Sequence, residues 1–152
     1  MLNIFTDYGK FPIDKIYKFA ASCGVEVPFA YAQLLSEHNG AQLVDNRIEY
    51  VHKSKNFEDW FSFCRFYDVK KSGSIEYYQD LEGVEFRRCM TFGLTASGDY
   101  LVFKMENDNK FPSIKLILHD EFEVTDMIAN RCVVDLANDF SEFLVRLKRG
   151  SE

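Results

Sequence analysis

The sequence predicts an α+β domain, with helices packed on an antiparallel sheet. Three observations lead there. Apolar residues recur at helical spacing over the first forty positions, alternate from Arg88 to Leu118, and return to helical spacing after Asp139. The chain has 152 residues, 47% of them hydrophobic, so one domain over 1–152 with one core is expected.

Each element has its own warrant. From Pro12 to Ser22, Ile13, Ile16, Tyr17 and Ala20 form one stripe, with Pro12 at the start and Gly24 just past the end. The stretch VPFAYAQLLSEHNGA begins a second helix at Pro28 and places Tyr31, Leu34 and Leu35 on one face. It stops at Asn39-Gly40, two residues that tolerate the left-handed backbone of a helix cap. Leu43-Val44 and Ile48 to Val51 suggest short strands around Asp45-Asn46. Asn56 to Tyr67 is expected to be helical: Asn56 caps it, and Phe57, Trp60, Phe61 and Cys64 make a stripe. That segment carries more aromatic residues than one helix face buries, which implies a second contact surface. Lys70 to Ser74 is a loop, and Ile75 to Val84 fits helix or strand.

Cys89–Leu94, Tyr100–Met105 and Ser113–Leu118 are then strands, the first two joined by the turn Ala96–Asp99. Phe122, Val124 and Met127 suggest a fourth. Short connections favour antiparallel pairing. The closing helix has Asp139 as its cap, Glu142 three residues later, and Phe140, Phe143, Leu144 and Leu147 on one stripe, with Gly150 as its stop.

Charge and cysteine usage narrow the function. The formal net charge is -6, and Met105 to Glu142 holds nine acidic residues against three basic ones, so the excess sits in the C-terminal third. Nucleic-acid binders show the reverse, a basic stripe, so nucleic acid is not an expected partner. Asp120, Glu121, Glu123 and Asp126 are the candidate acidic patch for a basic protein partner; a solvated face is the ordinary alternative. The four cysteines lie far apart without a CxxC pair, as expected of reduced, buried thiols rather than a disulfide framework or zinc site. No run is long and apolar enough for a membrane span, and the N-terminus lacks signal-peptide character. A cytoplasmic protein without a membrane partner is expected.

Motifs for catalysis or cofactors are missing: no GxSxG, HExxH or phosphate loop occurs, and neither a metal nor a cofactor is expected. His119-Asp120-Glu121 fits an exposed turn better than a metal or acid–base cluster, and Asp99 fits a turn-holding role better than that of a ligand. Trp60, the single tryptophan, is both a stripe residue and a candidate partner contact.

Three stretches, in order, resemble the SUKH superfamily, which contains fungal regulators of cell-wall assembly and many bacterial immunity proteins. VPFAYAQLLSEHNGA is similar to its Leu-Pro-x-x-Tyr-x-x-Phe-Leu…Asn-Gly stretch, FGLTASGDYLVF to its strand-turn-strand, and LANDFSEFLVRL to its terminal helix. Val27, Leu34 and Asp139 depart mildly from the pattern, and nothing from Phe57 to Val84 matches it. The resemblance implies a strongly bent sheet and a binding module, not an enzyme. It implies an immunity protein that binds and neutralises a toxin domain, or else a regulatory scaffold with an endogenous partner. It also implies structural roles for Pro28, Tyr31, Asn39, Gly40, Gly93, Gly98, Asp99, Phe140 and Phe143.

Overall fold

In the computed structural model, residues 2–79, 87–106, 110–119 and 133–148 are described. Strand β1 (Ile4–Thr6) precedes helices α1 (Ile13–Ser22) and α2 (Phe29–Glu37). Strands β2 (Gln42–Leu43), β3 (Arg47–His52) and β4 (Lys55–Phe63) follow, then a short 3-10 turn (Ile75–Tyr78). Strands β5 (Cys89–Thr95), β6 (Tyr100–Lys104), β7 (Ser113–Ile117) and β8 (Val133–Ala137) lead into α3 (Phe140–Arg146). Among the described residues, β1 and β2 form a small sheet, and β3 to β8 form an antiparallel sheet in sequence order. The fold is α+β.

The helix stripes bury their faces on this sheet. Pro12 and Pro28 stand at the N-caps, where a missing N–H costs nothing. At the end of α1, Gly24 (φ +76°) donates to the Ala21 carbonyl and Val25 to that of Ala20, the paired bonds of a left-handed cap. Tyr17 is exposed, while Phe19 packs edge-on against Phe66. Tyr31 is the centre of the aromatic core. Its ring lies 5.0 Å from Phe103, 5.8 Å from Phe140 and 6.0 Å from Phe92, mostly edge to face. Phe143, one turn after Phe140 on α3, meets Phe61 and Phe92. Asp139 caps α3 by accepting the Glu142 N–H at 2.8 Å.

Three sequence expectations are corrected. The segment after Asn56 is not a helix but the long strand β4. Its apolar residues fit a helical stripe, yet Asp59, Phe61 and Phe63 also alternate, and that alternation faces the core. Asn39 does not use a left-handed backbone; only Gly40 does (φ +65°). Helix α3 ends at Arg146 rather than running through Leu147 toward Gly150, because Lys148 turns into the sheet edge and exchanges both backbone bonds with Arg47. The suggested strand through Phe122, Val124 and Met127, and the stop at Gly150, lie outside the described residues. Strands β1 and β8 were not anticipated from sequence.

Asn39 instead works through its buried side chain. Its amide donates to the Phe66 carbonyl at 2.9 Å and accepts from the Phe66 N–H at 2.8 Å. Its backbone N–H donates to Gly9, and its carbonyl accepts from Tyr8. Asn39→Ala leaves a buried N–H and C=O without partners and should lower unfolding free energy by about 2–4 kcal/mol in urea titrations. The contrast is Tyr31, whose buried hydroxyl meets no partner among the described residues. Tyr31→Phe should shift stability by less than about 1 kcal/mol, while Tyr31→Ala should cost about 3–5 kcal/mol through the cavity it leaves.

Candidate functional site

Among the described residues, the outer half of the β3–β4 hairpin extends past the strands beside it as an arm. Its register runs from Arg47 opposite Trp60 to His52 opposite Lys55. Of β4, Phe61, Ser62 and Phe63 pair with β5, so Lys55 to Asp59 extend beyond it. At the foot of the arm, the Arg47 N–H and C=O point away from β4 and bond Lys148 at 3.1 and 2.9 Å. Backbone groups alternate along a strand, so Glu49 and Val51 direct theirs to the same open edge. Neither has a backbone partner among the described residues.

Apolar side chains are exposed on this arm. Val51 is 61% exposed and Phe57 is 42% exposed. The Tyr50 and Phe57 rings, directly opposite each other, stack at 5.4 Å on one face. On the other face Glu49 stands opposite Glu58, with one guanidinium, Arg47, reaching both at 3.7 and 3.4 Å. Exposed pairs of this kind add little stability. They leave one carboxylate charge in excess beside an open strand edge. Trp60 lies opposite Arg47 at the foot of the same ribbon, half-buried, with its indole N–H buried and unpartnered among the described residues.

The tip explains why the hairpin escapes a sequence reading. A two-residue connection, Lys53-Ser54, closes it with both residues left-handed (φ 51° and 65°). That turn ordinarily uses Asn-Gly, and here it has neither.

The other sequence-predicted residues lie elsewhere. Pro28, Tyr31, Asn39, Gly40, Phe140 and Phe143 belong to the helices and their junction with the sheet. Gly93 sits in β5 beside an irregularity of register, where a Cβ would meet Leu101 and the Ser62 carbonyl at 3.2 Å. Gly98 (φ +92°) makes the β5–β6 turn. The buried Asp99 carboxylate reaches across to His119, accepting from its backbone N–H at 2.9 Å and meeting Nδ1 at 2.7 Å; the Thr95 hydroxyl accepts the Asp99 N–H. The candidate patch Asp120, Glu121, Glu123 and Asp126 lies outside the described residues.

Among the described residues, no group of three His, Cys, Asp or Glu side chains is placed to hold a metal ion. Burial pushes the Cys23 thiol up, Cys89 to about 12 and Cys64 further still. No helix of the described residues is long and apolar enough to cross a membrane.

The model of the SMI1 / KNR4 family (SUKH-1) matches residues 12–146, and the chain belongs to that family. No curated protein and no solved structure matches it.

An ordinary residue in the left-handed region costs about 1–2 kcal/mol, so Lys53→Asn with Ser54→Gly should stabilise the arm. The hydrogen-bonded amides of Tyr50 and Phe57 should then exchange about fivefold more slowly, with little change in the core strands.

Proposed function

We propose that this member of the SMI1 / KNR4 family is a non-catalytic protein-binding module, an immunity protein that neutralises a toxin domain in the cytoplasm. The observation that carries this reading is the arm: a strand edge whose Glu49 and Val51 backbone groups have no partner among the described residues, beside exposed Val51 and the Tyr50–Phe57 stack. A partner strand added to such an edge gains main-chain hydrogen bonds, and its side chains meet the apolar and charged faces in turn. Exposed aromatic and aliphatic groups supply the lasting affinity. The carboxylates of Glu49 and Glu58, with the acidic C-terminal third, favour a basic partner and speed the encounter. Toxins that act on nucleic acid are commonly basic.

The test is affinity capture of the tagged protein from its own cells, at low and high salt, beside a Val51→Lys, Phe57→Ser variant. The native protein should recover one large protein with a C-terminal toxic domain, in amounts that fall as salt rises. The variant should keep its fold and bind at least thirtyfold more weakly, roughly the effect of losing a hot spot. Equal capture by the variant would exclude the arm. Replacing Asp120, Glu121, Glu123 and Asp126 with Ser tests the acidic patch separately; unchanged binding at physiological salt would exclude it. Recovery of only housekeeping or signalling proteins would favour the regulatory scaffold.

A further inference from the structure

A second feature is independent of the arm. Arg65, just past β4, borders a cleft of about 220 Å³. Its guanidinium carbon lies 4.1 Å from the Tyr8 ring centre and 4.4 Å from that of Tyr67. Two aromatic contacts hold the planar group in place. Among the described residues, one of its five N–H groups is engaged, by the Tyr67 hydroxyl at 3.2 Å. Nε is buried without an acceptor among the described residues. The cation forms no ion pair among the described residues.

Nearby acids are occupied otherwise. Glu76 accepts from the backbone N–H groups of Tyr67 and Asp68, at 3.2 and 2.9 Å. Asp68 pairs with Lys15. A second cation, the Lys71 ammonium, lies 4.5 Å from the Tyr67 ring centre. In a chain of net charge -6, this is a locally positive, aromatic-walled spot with unused donors.

A buried donor without a partner is costly, and an arginine fork matches oxyanion geometry. Thr6, Gln42, Ser62 and Tyr78 add neutral polar groups around the cleft. The volume lies below that of a drug-sized site and suits one small group. We propose that this cleft binds the phosphate or carboxylate group of a small molecule, with Arg65 as its fork and the two tyrosine rings as the walls that hold the fork.

The test is an NMR titration of the ¹⁵N-labelled full chain with sodium phosphate and, separately, sodium acetate, each at constant ionic strength set with sodium chloride. A saturable shift of the Arg65 Nε–H resonance and of the Gly40 and Gln42 amides is expected. Saturation by phosphate at the lower concentration would assign a phosphate group; saturation by acetate first would assign a carboxylate. Arg65→Lys keeps the charge but loses the fork, and should weaken binding about tenfold. Lys71→Ser, on the loop, should weaken it a few-fold and serves if Arg65→Lys does not fold. Shifts no larger than those with sodium chloride, or equal affinity in a folded variant, would overturn the proposal.

Discussion

The fold depends on where the chain leaves its helical pair, and a single buried amide controls that place. Asn39 binds both backbone groups of Phe66 through its side chain, and Gly9 and Tyr8 through its backbone. The N-terminal segment, the end of α2 and the chain after β4 are thereby joined at one residue. Gly40 then turns left-handed in a space so narrow that a Cβ would lie 2.8 Å from the Tyr8 ring. Next, Ala41 accepts the Phe63 N–H, which sets the chain alongside the sheet. The helix stop is therefore a joint, and its chemistry is hydrogen bonding rather than backbone tolerance.

From that joint the sheet divides into a base paired on β5 and an arm that extends past β5. At the base, β4 pairs with β5, Lys148 closes the edge at Arg47, and the Phe61 and Phe63 rings lie in the aromatic core around Tyr31. Beyond Asp59 the ribbon carries its own ladder, the Tyr50–Phe57 stack and exposed ion pairs. Exposed strand edges invite pairing with other chains. Charged Glu49 and Glu58 restrain that tendency and favour basic segments. Rigidity in the core and openness in the arm thus follow from the same register.

Much of the fold was legible where one pattern had a single interpretation. The stripes of α1 and α2, the alternation of β5, β6 and β7 and the Asp139 cap all point the same way locally and globally. Legibility failed where two periods coincided. Phe57, Trp60, Phe61 and Cys64 satisfy a helix, while Asp59, Phe61 and Phe63 satisfy a strand, and burial against β5 decides for the strand. The Lys53-Ser54 turn hid the hairpin because neither residue favours a positive φ. Strand β8 and the extended Lys148 depend on partners remote in sequence, Lys115 and Arg47 among them. Trp60 was singled out on type alone; its place at the foot of the arm needed the register. Arg65 carried no local signal, since Tyr8 is brought to it by the joint at Asn39.

If a partner adds a strand to the outward edge of β3, amide hydrogen exchange with and without the captured partner will locate it. New protection is expected at the Glu49 and Val51 N–H groups, which face away from β4, with little change at Ile48 and Tyr50, which already bond to β4. Protection that leaves Glu49 and Val51 exchanging freely and falls elsewhere on the molecule would contradict it.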